Sequence, residues 1–175
     1  MGKNIPVGLN WTSGTSAPGK PGTFSALPLG FQPDPAAVSG STLFDTAVGR
    51  CGIAWGAQGV LAVQLPETND AGTRRRLLRG LVSVPPVQTR QALPEFVQGA
   101  IEGVVALLRG EPRDLREIVL DMQRIPPFHQ RVYELARTID PGQTLTYGEI
   151  AQALSLPGAS RAVGQALGSN PFVIV

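Results

Sequence analysis

Two short helical patterns separated by a proline–glycine turn constrain this chain more than any other feature. Residues 146–154 and 159–168 each repeat apolar or small side chains at three- and four-residue spacing. The segment between them, Ser155-Leu156-Pro157-Gly158, is typical of a turn because proline fixes φ and glycine accepts positive φ. Two short helices joined in this way predict a helix-turn-helix. The second helix carries small side chains, so we expect it to approach another helix or a nucleic-acid groove closely: Ala159, Ser160, Ala162 and Gly164.

Three further patterns predict helices upstream of this pair. Residues 93–109 carry apolar side chains at helical spacing before Gly110, and residues 128–138 form a second amphipathic pattern that starts after two prolines. A shorter helix is predicted over 69–81, where four arginines form a basic cluster: Arg74, Arg75, Arg76 and Arg79. We expect this cluster to be a solvated helix face, with a phosphate-binding patch as the alternative.

Short β-type runs broken by glycine predict a three-strand meander over 43–65. In the middle run Cys51, Ile53 and Trp55 share one face at period two, which predicts a core position for the thiol. Residues 118–120 are predicted to form a further buried strand. Residues 1–40 are rich in glycine, proline, serine and threonine and lack apolar periodicity, so we expect a disordered or extended leader there.

Composition excludes several classes of function. The 175 residues include 15 basic and 13 acidic side chains, a balance that does not by itself identify a nucleic-acid binder. No apolar run approaches the roughly 20 residues that span a bilayer, and the N-terminus lacks an apolar signal core, which predicts a cytoplasmic protein. The single cysteine, Cys51, and the single histidine, His129, are too few for a disulfide, a zinc cluster or an ordinary catalytic triad. Neither a metal nor a cofactor is expected.

Several sequence blocks resemble, in order and spacing, the O6-alkylguanine-DNA alkyltransferase family. The blocks are Phe128-His129-Gln130-Arg131-Val132-Tyr133, Pro141-Gly142-Gln143-Thr144-Leu145-Thr146-Tyr147-Gly148-Glu149-Ile150-Ala151, Ser160-Arg161-Ala162-Val163-Gly164 and Ser169-Asn170-Pro171, with Phe44-Asp45-Thr46 and Gly52-Ile53-Ala54-Trp55 upstream. The resemblance covers residues 43–175. It implies an α+β fold with a small ribonuclease H-like lobe over 41–122. A helical, winged-helix-like lobe that carries the helix-turn-helix would occupy 123–175, incomplete at its C-terminal end.

The resemblance also implies a partner and roles for individual residues. Members of this family hold double-stranded DNA through the minor groove as monomers, flip an O6-alkylguanine out of the stack, and transfer its alkyl group to a cysteine. Tyr147 matches the tyrosine that helps rotate the target phosphate and whose hydroxyl can donate to guanine N3. Arg161 matches the arginine that enters the base stack, and Ala159 and Ser160 lie beside it facing the groove. Asn170 matches the hinge asparagine between the DNA-binding helix and the active-site strand.

The match departs from the family at the nucleophile. The family continues through a short apolar strand into Pro-Cys-His-Arg, whereas this sequence reads as far as Val175, so the matching nucleophile would lie beyond it. Cys51 and His129 are not expected to replace that pair, and we expect no alkyl transfer by these residues. We also expect the apolar end, residues 172–175, to be exposed and to lower solubility.

Two other functions remain as alternatives. A DNA-binding or lesion-sensing module without chemistry would need only the helix-turn-helix, Tyr147 and Arg161. A helix-turn-helix transcription factor is disfavoured because residues 159–168 offer few polar side chains to major-groove edges. From Phe128 onward three arginines balance three acidic residues, which predicts weak and salt-dependent phosphate binding.

Overall fold

A three-stranded antiparallel sheet opens the described part of the chain, which in this computed structural model comprises residues 37–81, 93–140 and 142–174. Strands β1 (Gly40–Thr46), β2 (Gly49–Trp55) and β3 (Val60–Gln64) lie in the order β1-β2-β3, as the meander prediction required. β1 begins three residues earlier than predicted because Gly40 pairs with Trp55, and Val38 before it is already buried. The rest of the predicted leader, residues 1–36, lies outside the described residues.

The five predicted helices are present, and their ends differ from the predicted ones by at most two residues except that the first helix ends four residues early. They are α1 (Asp70–Leu77), α2 (Glu95–Leu108), α3 (Pro127–Ala136), α4 (Tyr147–Ala153) and α5 (Ser160–Gly168). The side chain of Asn69 caps α1 by accepting a hydrogen bond from the backbone N–H of Gly72. α3 begins at a proline, whose fixed φ suits the first helical turn.

Both faces of the sheet are covered by helices. The side chains of Cys51 and Ile53 lie in a core that includes Val97 and Val104 of α2. On the opposite face Ala54 packs with Leu77 of α1. The predicted core position of Cys51 is therefore confirmed. Because the side chains of β2 alternate between the two faces of the sheet, one set lies in the core that includes α2 and the other packs with α1.

A second core forms between α3, α4 and α5. Its fully buried side chains include Val132, Ile150, Val163 and Phe172. Phe172 lies edge-on to Tyr133 with ring centroids 6.2 Å apart. The expectation that the apolar end is exposed was therefore wrong for Phe172, because its ring fills this core, and Ile174 packs against the first core. Val175 lies outside the described residues.

The edge of β3 that faces away from β2 joins the two cores. The backbone N–H of Val60 donates to the carbonyl of Val119 at 2.9 Å, and Val60 accepts from Asp121 at 2.8 Å. Farther along the same strand, the N–H of Val63 donates to the carbonyl of Pro171 at 2.8 Å. The segments before α3 and after α5 are thus both attached to β3.

Residues 118–120 do not form the predicted buried strand. They make a single bridge, Val60 with Leu120, and Val119 is exposed. The guanidinium of Arg137 donates to the carbonyls of three residues just upstream or within this segment, at 2.8 to 3.0 Å: Leu115, Arg116 and Ile118. These bonds attach the segment to the end of α3, and its pairing with β3 is limited to the one bridge.

Within the described ranges, no helix combines the length and apolar character that crossing a membrane requires.

Candidate nucleic-acid interface

A reciprocal pair of hydrogen bonds fixes the start of α4. Thr146 Oγ1 accepts from the N–H of Glu149 at 3.2 Å, and Glu149 Oε2 accepts from the N–H of Thr146 at 2.6 Å. The bond from the Thr146 backbone, and to a lesser extent its side chain, holds the pKa of Glu149 below its ordinary value. We did not predict this capping box from the sequence, although the Thr-x-x-Glu spacing is its usual signature. It fixes Tyr147 at the first position of the helix.

The turn between α4 and α5 is held from two sides. Within it, the N–H of Leu156 donates to the carbonyl of Ala151 at 2.9 Å, and Gly158 adopts φ +90°, a conformation that favours glycine. From α3, the guanidinium of Arg131 donates to the carbonyl of Leu154 at 2.8 Å. The predicted turn is therefore present, and Arg131 attaches it to the rest of the lobe.

Tyr147 lies on the surface rather than in the core. The residue is 52% exposed, and its ring lies against α5 at Gly164. A Cβ at position 164 would be 3.1 Å from Cε2 of the ring, which is tighter than almost all real contacts. The missing side chain of Gly164 therefore allows the tyrosine to rest on α5.

Arg161 is exposed in the first turn of α5, three residues before Gly164. Residues three apart are neighbours on a helix surface, so Arg161 and the ring of Tyr147 share one side of α5. Ala159 and Ser160 are half-buried at the start of the helix, and no side chain of the described residues caps it there. We call the group Tyr147, Ala159, Ser160, Arg161 and Gly164 the recognition surface.

The lobe that carries this surface is similar to parts of known proteins. Residues 127–175 match the family described as 6-O-methylguanine DNA methyltransferase, DNA binding domain. A methylated-DNA--protein-cysteine methyltransferase of Mycolicibacterium paratuberculosis is 44% identical over 82 residues, which are 47% of this chain and 48% of that protein. A protein of the same name from Shigella flexneri is 53% identical over 49 residues, 28% of this chain and 29% of that protein. Residues 127–175 are thus similar to the DNA-binding domain of the O6-alkylguanine-DNA alkyltransferases.

Solved structures extend the similarity to both lobes. The crystal structure of the Mycobacterium tuberculosis O6-methylguanine methyltransferase matches with a TM-score of 0.58 and 29% identity, over 77% of this chain and 73% of that one. The M. tuberculosis OGT crystallised in complex with DNA matches with a TM-score of 0.56 and 29% identity, over 77% and 72%. The α+β fold with two lobes is thus shared with these proteins. In sequence, the chain spans about half the length of the mycobacterial relatives that it matches.

Asn170 lies just after the C-terminal end of α5. Its Oδ1 accepts from the N–H of Phe172 at 2.9 Å, and its own N–H donates to the carbonyl of Leu167 at 3.2 Å. The carbonyl of the next residue, Pro171, pairs with β3. The structure therefore places Asn170 at the link to the sheet, not among the side chains of the recognition surface.

Cys51 and His129 do not form a catalytic pair in this chain. The thiol is fully buried in β2, and burial raises its pKa, while the Thr46 hydroxyl 3.6 Å away acts weakly in the other direction. His129 lies in the first turn of α3, with its Nδ1 3.5 Å from the hydroxyl of Tyr133. The cysteine belongs to the core beneath the sheet, whereas the histidine contacts the core of the helical lobe.

Proposed function

We propose that this chain binds double-stranded DNA through the recognition surface and everts an O6-alkylated guanine through the minor groove, as part of DNA repair by alkyl transfer to a cysteine. The observation that carries the proposal is the exposure of Tyr147 and Arg161 on one side of α5. A half-exposed tyrosine ring beside an exposed arginine offers stacking and hydrogen-bonding groups to a nucleic acid. The names of the relatives support O6-alkylguanine as the class of lesion.

Arg161 is the residue that takes the place of the everted base. Its planar guanidinium stacks on neighbouring bases and hydrogen-bonds to the base left without a partner. Unstacking a nucleotide costs a few kcal/mol, which such contacts offset. The position of Arg161 in the first turn of α5 supports this role, because the preceding Ala159 and Ser160 are small enough to allow a close approach to the groove.

Tyr147 acts on the flipped nucleotide. Its hydroxyl helps to rotate the target phosphate and donates to guanine N3, which makes the purine a better leaving group when its O6 loses the alkyl group. Each 1.36 kcal/mol of such stabilisation in the transition state would increase the rate about tenfold.

The remaining two features support binding without direct chemistry. Backbone N–H groups at the start of α5 are suitable donors to a DNA phosphate, because helix N-termini favour anions. Asn170 acts as the hinge residue between α5 and the segment that pairs with β3. One recognition surface is enough for one lesion, so we propose that the protein acts as a monomer, in the cytoplasm.

Cys51 is not the acceptor of the alkyl group. A cysteine must be accessible and largely in its thiolate form to attack an alkyl carbon, and the buried thiol of Cys51 meets neither condition. The burial of the only cysteine among the 175 residues also favours a second candidate function, lesion sensing without transfer by these residues. Intact-mass measurement after incubation with O6-methylguanine DNA tests the exclusion of Cys51, since a retained methyl group there would add 14 Da and would contradict it.

Titration of fluorescent duplexes tests DNA binding. Two duplexes of the same sequence, one with O6-methylguanine and one with guanine, are titrated at low salt with wild type, Arg161→Ala and the control Arg109→Ala. Arg109 is also an exposed arginine but lies at the end of α2. We expect wild type and the control to prefer the lesion, and Arg161→Ala to lose at least tenfold in affinity for it. Failure of the wild-type protein to bind either duplex would refute the proposed function.

A further inference from the structure

A polar cleft lies along α1, away from the recognition surface in sequence. Its volume is about 660 Å³, and it is lined by residues of the helix and of the segment before it: Glu67, Thr68, Asn69, Gly72, Arg75, Arg76 and Arg79. The backbone of Gly72 lies close to the cap, since a Cβ there would be 3.3 Å from Cβ of Glu67 and 3.5 Å from Oδ1 of Asn69. We call this feature the α1 cleft.

The charge of the α1 cleft is strongly positive. Three arginines face a single carboxylate, Glu67, which already pairs with Arg76 at 3.3 Å. Arg75 and Arg79 have no ion pair with any residue that the structure describes, and the nearby Asp70 pairs with Arg50 instead. Two guanidinium groups are therefore available to an anion from outside.

Helix stability does not account for this arrangement. Basic residues in a last helical turn interact favourably with the helix dipole, which explains a charge at Arg74 or Arg75. Arg79 lies beyond the last residue of α1, where that effect falls off. The helix dipole therefore does not explain the charge of Arg79.

Residues 128–175, by contrast, carry no net charge. Their arginines are matched by an equal number of acidic side chains. Most of the sequence-independent affinity of DNA-binding proteins comes from basic side chains on phosphates. The stretch 74–79, with four arginines in six residues, is the most basic part of the chain.

We propose that the α1 cleft is a second phosphate-binding surface, which contacts the DNA backbone through Arg75 and Arg79 independently of the lesion. The guanidinium fork binds two phosphate oxygens at once, and Arg75 and Arg79 are both exposed. This inference rests on the proposed function, since it extends the contact with DNA beyond the recognition surface. The phosphates belong either to the duplex that the recognition surface holds or to a second duplex.

The double variant Arg75→Gln/Arg79→Gln tests the inference. Glutamine keeps a high helix propensity, so the fold is retained, and a thermal melt by circular dichroism checks this. The control Arg109→Gln/Arg113→Gln removes the same charge from exposed positions at the end of α2 and just after it. Affinity is measured from about 50 to 200 mM salt for duplexes of 14 and 40 base pairs, with and without O6-methylguanine.

We expect the α1 variant to bind three- to tenfold more weakly at the lower salt concentration. The slope of log affinity against log salt should become shallower by about 1 for each phosphate that the variant no longer neutralises, for lesion and normal DNA alike. If the α1 variant binds only the 40-bp duplex more weakly, the α1 cleft contacts flanking phosphates of the DNA that the recognition surface holds. If wild type joins two short duplexes in one complex and the α1 variant does not, the α1 cleft contacts a second duplex.

The inference and the proposed function fail in different ways. If Arg161→Ala weakens lesion binding but the α1 variant and its control have the wild-type salt slope on every duplex, the α1 inference is overturned and the proposed function stands. An equal loss of slope in the α1 variant and its control also overturns it, because the effect would then be one of total charge. If wild type binds no duplex, both fail.

Discussion

The two lobes treat their chemically capable side chains in opposite ways. In the first lobe the thiol of Cys51 is sealed between the sheet and α2, with its pKa raised by burial. In the second lobe Tyr147 and Arg161 are left in solvent above a stretch of small residues, and Gly164 gives the tyrosine its place. The difference teaches that residue type alone does not locate function in this chain, because the strongest nucleophile present is part of the core.

The largest effect is expected from opening the core that supports the recognition surface. Phe172→Ala removes a fully buried ring that packs against Tyr133, and we expect the free energy of unfolding to fall by about 3–5 kcal/mol. Phe96→Ala is the matched control, because Phe96 of α2 is 41% exposed. Denaturant titration of both variants measures the two losses, and equal losses would mean that the second lobe does not depend on Phe172.

Substitution of Gly164 by alanine should lower the affinity for DNA without lowering the stability of the protein. In Gly164→Ala the new Cβ would displace the ring, so we expect DNA affinity to fall about fivefold, or ~1 kcal/mol, while the higher helix propensity of alanine keeps the protein at least as stable. Gly168→Ala gives the same propensity gain where no atom lies within 4 Å. If Gly164→Ala binds DNA as tightly as wild type, the position of the Tyr147 ring on α5 does not matter for DNA binding, which would contradict the proposal.

Loss of the capping box should have a smaller effect. Thr146→Ala leaves the N–H of Glu149 without its side-chain acceptor and should lower the free energy of unfolding by about 1 kcal/mol. Thr144→Ala, two residues upstream and exposed, serves as the control and should change it little. A thermal melt of the pair measures the difference, and a Thr146→Ala variant as stable as its control would argue against the cap.

The smallest effect is the pH dependence of the same cap. The pKa of Glu149 is lowered in the folded state, so its carboxylate stabilises the fold above the unfolded pKa, about 4.3, and this contribution is lost as the pH falls through the folded pKa. Glu149→Gln keeps the hydrogen-bonding pattern without the titration. We expect the stability of wild type to fall more steeply below about pH 4.5 than that of the variant, and parallel curves would contradict this.

Local sequence patterns predicted the helices and strands of this fold, but they did not predict the contacts between segments that are distant in sequence. Helical spacing placed α2 to α5 to within two residues, and period two placed Cys51 in the core. The pairing of β3 with residues 119–121 and 171–172 joins segments more than 50 residues apart, and no periodicity encodes such a register. Residues 118–120 are apolar enough for a strand, but the structure gives them a single bridge to β3, and the carbonyl of Ile118 accepts a hydrogen bond from Arg137 instead.

In the candidate site, too, the sequence predicted individual residues but not the contacts between helices. Tyr147, Arg161 and Asn170 could be selected from ordered sequence blocks, and the structure brings the first two to one side of α5. The supporting role of Gly164 depends on how α4 crosses α5, which the sequence does not specify. The turn contact of Arg131 likewise appears only when α3 is packed beside the helix-turn-helix.

Fluorescence of 2-aminopurine beside an O6-methylguanine measures base eversion directly. When the lesion leaves the stack, its neighbour is unstacked and its emission rises, unless the protein binds without flipping. The account predicts a rise at saturating wild-type protein and with Arg109→Ala, and little or none with Arg161→Ala at equal saturation. Saturated binding by wild type with unchanged emission, or an undiminished rise with Arg161→Ala, would contradict it.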